Sequence, residues 1–508
     1  MKKAFLLLLL IFLLASFLRL KNLAVDPPGF YTDEASVGFN AYKILTTARD
    51  EHGKFIPIFF EAFGEYKNPF AIYPVVPFIA AFGPTETSVR LAQVMFGLLD
   101  ILLIFFLAKA LFNSSVGLLS AFVMAISPWH IHLSRFNIES HNAFLFFIIG
   151  GSFFLVLAKK NKWKFKWLFL ASVFFAFSFY TYFATRIFTP LFLAGILIFW
   201  RKDFMNLFKK YKSRTYFAIF IFLLILIPFI VHMASGAGFS RFNQVSRKTD
   251  LRSGLSLYLK HFEPKFVFFY GDADYPGQQI IRHSVSGMGL FYKWQLPFFA
   301  AGLLFLIFVS KAQKDARNLV FLMLALYPLG TVVSDAMTPY ATRSVIGVVP
   351  YTLLVSYGIW RFYRVLTFMP LKLVFVLVVG LASVFYLNRF WSLYKTYENR
   401  AYGYSGFQYG AREVVQFFMS RGDSIKILDG GFDGKQAYLN FYSKGSCEGC
   451  YASDPNYEDS SVKKLIAVSV DNLDAFNSRY EGLVVKKIYY PDNREAFYIF
   501  EATSKITP

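Results

Sequence analysis

The chain has 508 residues, of which 56% are hydrophobic and 20% aromatic, with 64 phenylalanines. A water-soluble protein cannot bury so many apolar side chains. The composition therefore excludes a water-soluble protein and predicts a chain that is embedded in lipid. The formal charge of +21 does not indicate nucleic-acid binding, because Lys and Arg occur in short runs between apolar stretches and no nucleic-acid-binding motif is present.

The apolar stretches predict a polytopic α-helical membrane protein with about eleven spans, each near the length that crosses ~30 Å of hydrocarbon. We interpret the first stretch, from Lys2 to about Leu20, as a retained span. It has no small-x-small cleavage site of the kind that ends a signal peptide, and Arg19 and Lys21 suit an interfacial stop. The other stretches lie near residues 89–112, 116–132, 141–158, 167–184, 187–200, 215–235, 295–310, 318–335, 343–360 and 371–387.

Basic residues between the stretches predict the orientation of the chain. Segments 159–166, 201–214, 311–317 and 361–372 carry five, six, three and three Lys or Arg, and all four fall on the side of the N-terminus. Because Lys and Arg are retained in cytoplasmic loops, we expect a cytoplasmic N-terminus. Three long segments are then outside, at residues 21–88, at residues 236–295 and after residue 388.

These outer segments have distinct patterns. The stretch from Pro69 to Pro77 has too many prolines for an ordinary span, which predicts short interfacial helices in the first outer segment. The tail has strand-like patches at Ser424–Asp429 and Gly482–Tyr490 and a helical pattern at Ala411–Arg421. We therefore predict a membrane domain at residues 1–388 and a small extracytoplasmic α/β domain at residues 389–508. Its cysteines, Cys447 and Cys450, are either a short-loop disulfide or two idle thiols.

Two adjacent acids, Asp33 and Glu34, follow the first span. In one interpretation Thr32 caps a helix whose dipole stabilises both carboxylates in its first turn. In the other the acids are functional, because ionisable groups at a membrane surface are costly and often serve chemistry. One acid would then deprotonate an acceptor hydroxyl, and the other would hold a metal or orient a sugar.

Further charged residues are expected on the outer face. Lys67 either neutralises a lipid phosphate or is an interfacial lysine whose head reaches water. Arg135 and Glu139 are four residues apart and would pair on one helical face, either as a structural salt bridge or within a site. Other outward cations are interfacial anchors or, for one or two of them, phosphate ligands. These candidates are Arg186, Arg282, His283 and Arg343.

Three elements together resemble a known class of enzyme: the Asp33-Glu34 pair after the first span, the Lys67-Asn68-Pro69-Phe70 step, and Arg135 followed by Glu139. They are similar to the polyprenyl-phosphate-sugar-dependent glycosyltransferases of the GT-C class. The nearest group is family-39-like and includes the protein O-mannosyltransferases, with the aminoarabinose transferases of lipid A as cousins. The resemblance covers about residues 15–390 in layout, and its motifs lie in 15–145. Asn68 and Phe70 depart from the family's Lys-Pro-Pro-Leu step, and Glu139 stands where many members have Asp.

The resemblance implies an inverting transfer of a sugar from a polyprenyl-phosphate carrier to a hydroxyl or phosphate acceptor, on the outer face of a prokaryotic inner membrane. It implies Asp33, Glu34 and Glu139 as catalytic residues. Lys67, Arg135, Arg186, Arg282, His283 and Arg343 would bind the lipid phosphate or the sugar. A divalent metal, Mg²⁺ or Mn²⁺, is allowed, with Glu34 and Glu139 as its candidate ligands. The partners are the lipid-linked donor, membrane lipid and an unidentified acceptor, without nucleic acid.

The alternative is a non-enzymatic transporter of lipid-linked glycans or small molecules. A transporter predicts charges in the middle of spans and an internal two-fold repeat, and neither is evident. A structural protein whose tail binds a partner would account for the tail, but not for the charged outer segments.

Overall fold

The computed structural model describes residues 2–246, 250–308, 313–396, 406–422, 425–455, 459 and 461–505. Lys311, one cation of the basic segment 311–317, and Ser424, the first residue of a predicted strand, lie outside these ranges. The first half of the membrane domain consists of helices α1 Lys2–Leu20, α2 Thr32–Thr47, α3 Pro69–Ile72, α4 Val76–Phe82, α5 Glu86–Leu111, α6 Ser114–Ile126, α7 Pro128–Leu133, α8 His141–Lys160, α9 Phe165–Ser178 and α10 Thr185–Phe199.

A short antiparallel hairpin of β1 Phe60–Ala62 and β2 Glu65–Lys67 lies between α2 and α3. The second half of the membrane domain consists of α11 Arg201–Lys210, α12 Lys212–Ala234, α13 Ser240–Val245, α14 Leu251–Lys260, α15 Leu296–Ile307, α16 Lys314–Leu326, α17 Leu329–Val332, α18 Val348–Val365 and α19 Met369–Thr396.

The predicted polytopic helical architecture is confirmed. Within the described ranges, six helices are long and apolar enough to cross a membrane, at Lys2–Leu20, Glu86–Leu111, His141–Lys160, Lys212–Ala234, Val345–Val365 and Met369–Tyr394. Five shorter apolar helices accompany them, at Pro69–Phe82, Ser114–Ile126, Phe165–Ser178, Thr185–Phe199 and Lys293–Ile307.

Two predicted spans are broken by proline. The stretch near 116–132 is divided into α6 and α7 at Pro128, and the stretch near 318–335 into α16 and α17 at Pro328. Proline has no backbone N–H to donate within a helix, so it starts a new helix more readily than it continues one. The proline-rich stretch after Lys67 forms the short helices α3 and α4, as predicted.

Close contact between α15 and α18 depends on two glycines. A Cβ atom on Gly302 would overlap the carbonyl of Leu354, and one on Gly358 would overlap the carbonyl of Phe298. Small residues allow helix backbones to approach in lipid, where apolar burial alone does not drive association. By contrast α19 exposes most of its apolar side chains, which suits a helix surrounded by lipid.

The predicted C-terminal α/β domain is confirmed. Its sheet contains β3 Lys426–Leu428, β4 Cys450–Tyr451, β5 Lys464–Ser469, β6 Tyr480–Tyr489 and β7 Glu495–Ser504, in the strand order β4-β3-β5-β7-β6. Strand β3 is parallel to β4 and β5, whereas β7 is antiparallel to β5 and β6. Cys447 and Cys450 form a disulfide, and Cys450 is the first residue of β4. Its helices are α20 Ala411–Met419, α21 Lys435–Ser443 and α22 Leu473–Arg479.

This domain packs directly on the first outer segment. Helix α21 lies against α2 so closely that a Cβ atom on Gly38 would overlap the ring of Phe441. Residues of α2, α4 and α5 share one hydrophobic core with α20, α21 and the sheet. The C-terminal domain is therefore joined through a common core to the helix that carries Asp33.

Candidate active site

Asp33 lies in the first turn of α2, and its carboxylate accepts a hydrogen bond from Lys67 Nζ at the end of β2. The hairpin thus brings together two predicted site residues that are 34 positions apart in the chain. The predicted helix is present, but Thr32 does not cap it. The Thr32 hydroxyl donates to the carbonyl of Gly434 at 3.3 Å, and the Glu34 carboxylate accepts from the Tyr31 N–H at 3.3 Å.

Acids and cations alternate beyond this pair. Lys67 Nζ is also 3.8 Å from Glu65 Oε1, and the other oxygen of Glu65 is 3.0 Å from Arg241 Nη1. Arg241 Nη2 is in turn 4.0 Å from Glu139 Oε1. Burial by itself would lower the pKa of Lys67, but the carboxylates of Asp33 and Glu65 raise it, so the amine stays charged. The row contains three carboxyl groups and two cations, so its protein groups carry one negative charge when Glu139 is ionised and none when Glu139 is protonated.

Glu139 lies in the loop between α7 and α8, with 23% of its side chain exposed. Desolvation in the site raises the pKa of Glu139 to about 7, and Glu65 and Asp33 act in the same direction against Arg241 and Lys67. The carboxyl group is therefore able to gain or lose a proton near neutral pH.

A cavity of about 560 Å³ opens above these groups. Asp33 and Glu139 are in its wall, together with three of the predicted cations, Arg282, His283 and Arg343. A narrow chamber adjoins it, shares Glu65, Glu139 and Arg241, and contains Lys67 and Arg186. The structure thus brings together seven of the nine residues predicted for the site.

Glu34, the eighth, is placed away from the cavity. Its carboxylate is fully buried, 3.2 Å from Arg90 Nε and 3.3 Å from Arg90 Nη2, and it accepts from the Asn137 N–H at 2.9 Å. It also accepts from the Tyr31 N–H, so its partners are one arginine and two backbone N–H groups. The expectation that Glu34 faces substrate is corrected, because consecutive helical residues point about 100° apart and Asp33 has the cavity face.

Arg135, the ninth, does not form the predicted helical pair with Glu139. Helix α7 ends at Leu133, so the two residues share no helical face. Arg135 is buried and donates to carbonyl oxygens at the end of α1 and in the loop after it, at 2.8–3.1 Å. Its acceptors are Leu18, Arg19, Lys21 and Asp26. Carbonyl oxygens at the end of a helix need hydrogen-bond donors, and the guanidinium of Arg135 supplies several N–H groups. Arg135 therefore has a structural role.

The other predicted cations are held by neighbouring side chains and carbonyls. Arg186 donates to the Gly238 carbonyl and to Asn68 Oδ1 at 3.3 Å. Arg282 lies 3.8 Å from the ring centre of Tyr31, and Arg343 is 3.1 Å from Asp335 Oδ1. His283 Nδ1 is 3.6 Å from Asp272 Oδ2, and burial lowers the pKa of His283 in spite of that carboxylate.

Two residues of the site are absent from the sequence prediction, Glu65 and Arg241. Glu65 lies two residues before Lys67, and the alternation of a strand places both on one face. That spacing is a local signal from which Glu65 can be inferred. Arg241 carries no comparable signal, because its contacts are with residues more than 100 positions away in the chain.

The acidic residues do not suit a divalent metal. Glu34, one predicted ligand, is surrounded by Arg90 and backbone N–H groups. Glu139, the other, shares Arg241 with Glu65, and Asp33 is bound by Lys67. In the described part of the chain, no three His, Cys, Asp or Glu residues are grouped to hold a metal ion. Cations of the protein stand beside the carboxylates that a metal would need.

Comparisons with known proteins find one matching family model and several similar folds. Residues 67–232 match the family model described as dolichyl-phosphate-mannose-protein mannosyltransferase. ArnT from Cupriavidus metallidurans, solved bound to undecaprenyl phosphate, has a TM-score of 0.57 at 11% identity, covering 98% of this chain and 97% of that chain. No match was found among curated protein sequences.

Two structures of the Archaeoglobus fulgidus oligosaccharyltransferase are also similar. AglB in complex with an inhibitory peptide and a dolichol-phosphate has a TM-score of 0.55 at 11% identity, covering 97% of this chain and 74% of that chain. A complex with Zn and sulfate has a TM-score of 0.53 at 12% identity, covering 97% and 72%. The resemblance to the GT-C class of membrane glycosyltransferases is thus confirmed, by sequence over residues 67–232 and by fold over nearly the whole chain.

Proposed function

We propose that the protein is a glycosyltransferase that moves a sugar from a polyprenyl-phosphate carrier to an acceptor hydroxyl, with inversion at the anomeric carbon. The observation that carries this proposal is the contact between Asp33 and Lys67 at the wall of the 560 Å³ cavity. It places a carboxylate, able to accept a proton, beside an ammonium group, able to bind a phosphate.

The reaction needs one proton acceptor and one stabilised leaving group. The acceptor oxygen attacks the anomeric carbon of the donor, and its proton passes to the Asp33 carboxylate. The bond between that carbon and the phosphate oxygen breaks, and its electron pair remains on the phosphate. Glu139, exposed to the same cavity, is suited to hydrogen-bond a hydroxyl of the sugar or acceptor and to orient it.

Three cations are available for the departing phosphate. Lys67, Arg186 and Arg241 line the chamber next to the cavity. Positive groups fixed where charge develops stabilise a transition state without having to reorganise, and this is commonly the largest catalytic contribution. Because the donor already carries its phosphate leaving group, the site needs no nucleotide-binding domain, and its protein cations take the place in which a metal would act.

An apolar groove beside the chamber suits the carrier's hydrocarbon chain. Its volume is about 410 Å³, and it is lined by Ile58, Pro69, Phe70, Tyr73, Pro74, Phe177, Tyr180, Leu224, Ile225 and Pro228. Pro69 and Phe70 follow Lys67 by two and three residues. A polyprenyl phosphate with its headgroup at Lys67 would thus have its first isoprene units against apolar side chains.

The location of the reaction rests on the basic segments. The basic segments lie on the side of the N-terminus, and basic segments are retained in the cytoplasm. Asp33 follows the first span, so its cavity is expected on the opposite, non-cytoplasmic face. We place the reaction there, on the outer face of a prokaryotic plasma membrane.

Purified protein in nanodiscs, given a panel of radiolabelled polyprenyl-phosphate sugars, tests the proposal through release of free polyprenyl phosphate. We expect release by the wild type with at least one donor, and loss of release in Asp33→Asn. Glu61→Gln is the matched control, because Glu61 lies in the same hairpin and pairs with Lys54 at an exposed surface. Equal release by wild type and Asp33→Asn would reject Asp33 as the base. Failure of every carrier phosphate to bind would reject the donor class.

A further inference from the structure

A second cavity, of about 380 Å³, lies in the C-terminal domain where β3 and β5 end. Strands β3 and β5 are parallel, so their carboxyl ends meet at one edge of the sheet. Open α/β sheets bind ligands in a crevice at this edge. The wall consists of three residues after β3, Ser469 at the end of β5 with two residues that follow it, one residue directly after β6, and one residue of β7. They are Gly431, Phe432, Asp433, Ser469, Asp471, Asn472, Tyr490 and Phe497.

This sheet-edge cavity adjoins the candidate active site. Asp433 is in the wall of both cavities. The next residue, Gly434, accepts the hydroxyl hydrogen bond of Thr32, which directly precedes Asp33. Gly434 has a positive φ of +57°, and a Cβ atom there would overlap Thr32 and contact the Phe63 ring at 2.7 Å. The loop after β3 is therefore fixed against the first turn of α2, between the two cavities.

The lining of the sheet-edge cavity indicates the chemistry of its ligand. It presents the exposed carboxylates of Asp433 and Asp471, and Asn472 donates to Ser469 Oγ at 2.7 Å. None of the described residues in its wall is Lys or Arg. Carboxylates only accept hydrogen bonds, so they favour a ligand with several O–H donors and repel a phosphate.

An apolar surface completes the cavity. The rings of Phe432 and Phe497 are stacked with centroids 4.5 Å apart and an interplanar angle of 4°. Both phenylalanines and Tyr490 line the cavity together with Asp433 and Asp471. A pyranose ring has both features that this lining matches, since it carries equatorial hydroxyl groups on a ring with apolar C–H faces. The volume lies in the range of small-ligand pockets, about 300–1,000 Å³.

We propose that the sheet-edge cavity binds a neutral saccharide unit of the acceptor, which rests on the proposed function of the neighbouring site. The acceptor then extends across the loop at Asp433, with one saccharide unit held in the C-terminal domain and the reactive hydroxyl at Asp33. The substrate class on the acceptor side is accordingly a glycan or glycolipid, and the domain determines which acceptor is used.

Binding can be measured without a donor, so that this proposal and the proposed function fail separately. The full-length protein in nanodiscs is titrated with methyl glycosides of mannose, glucose and galactose, followed by saturation-transfer NMR, and with trilysine as a cationic probe. We expect one or more glycosides to bind. Asp471→Ala should weaken that binding about tenfold, because it removes a charged hydrogen-bond acceptor.

The control is Asp474→Ala, which removes an exposed acid on the neighbouring helix α22 that is not in the cavity wall. It should bind the glycosides as the wild type does, and Asp471→Ala should retain polyprenyl-phosphate binding. Equal glycoside binding by wild type and Asp471→Ala would overturn the assignment. So would binding of trilysine with no glycoside binding, which would identify a site for a basic peptide.

Discussion

Arg90 makes a bidentate contact with the carboxylate of Glu34, at 3.2 Å from Nε to one oxygen and 3.3 Å from Nη2 to the other. The pair joins α5 to the helix that carries Asp33. The same carboxylate accepts from the Asn137 N–H, two residues before Glu139. A single buried ion pair therefore helps to position Asp33 and Glu139, two of the acids in the cavity wall, although neither partner of the pair is in that wall.

We predict that Glu34→Ala lowers the free energy of unfolding by about 3–5 kcal/mol, because it leaves the Arg90 guanidinium buried without its counter-charge. Thermal unfolding in detergent measures the loss. Glu61→Ala, which breaks an exposed pair with Lys54, should change stability by less than about 1 kcal/mol. If Glu34→Ala kept wild-type stability and lost only transfer, Glu34 would be a catalytic residue after all.

Asp33→Asn should reduce transfer by roughly 10²–10⁴-fold, the usual contribution of a positioned proton acceptor. Asn keeps the shape of the side chain but cannot accept the proton. Thermal stability should stay close to that of the wild type, because 18% of the Asp33 side chain is exposed and its partner Lys67 retains Glu65. A variant that loses stability in proportion to its activity would indicate a structural role instead.

Lys67→Met should weaken binding of polyprenyl phosphate and leave binding of the neutral polyprenol unchanged. The apolar groove near Pro69 and Phe70 is intact in this variant, and only the charge beside it is lost. Native mass spectrometry or a fluorescent-lipid titration compares the two lipids. The control is Lys54→Met, which removes an exposed lysine that precedes the hairpin and pairs with Glu61 of β1. If Lys67→Met weakened the binding of polyprenyl phosphate and of polyprenol equally, a phosphate-binding role of Lys67 would be contradicted.

Glu139 should make both activity and stability depend on pH. Its pKa is raised from 4.5 to about 7, so the folded protein holds this proton more tightly than the unfolded chain does. Its contribution to stability is therefore largest at low pH and is lost as the pH rises through about 7. Glu139→Gln removes this dependence. The Tm of the variant minus the Tm of the wild type should therefore increase as the pH is raised from about 5 to about 8.

The same substitution separates catalysis from stability. If the ionised carboxylate orients the sugar or acceptor, the transfer rate of the wild type rises as the pH passes about 7. The rate of Glu139→Gln should be low and should not rise with pH in this range. If the transfer rate of Glu139→Gln still rose near pH 7, the rise would belong to the titration of another group.

Chelation of divalent metal should leave transfer unchanged. Lys67 and Arg241 stand beside the carboxylates of Asp33, Glu65 and Glu139, so the leaving phosphate meets fixed protein cations. Rates measured with EDTA and with added Mg²⁺ or Mn²⁺ should agree within error, and calorimetry should detect no tight metal site. Loss of transfer in EDTA with recovery on adding Mn²⁺ would contradict this expectation.

The candidate site shows why some residues can be predicted from sequence. Asp33 follows the end of the first span, and Lys67 is followed closely by Pro69. Both are local sequence features that also occur in a known class of enzyme. The role of Glu34 does not follow from such features. Adjacent residues of a helix differ by about 100° in direction, and only the packing of α5 and the Asn137 loop decides which acid faces the core.

The amino-acid sequence alone determined the membrane location, the helical architecture, the short helices after Lys67 and the α/β tail. These properties depend on apolar length, proline positions and strand alternation within short stretches of chain. The tertiary structure alone decided that Arg90 neutralises Glu34, that Arg241 joins Glu65 to Glu139, and that Asp433 borders the cavity of Asp33. These contacts join residues 56 to more than 300 positions apart, where partners are selected by shape and charge in the folded core and no local periodicity marks them.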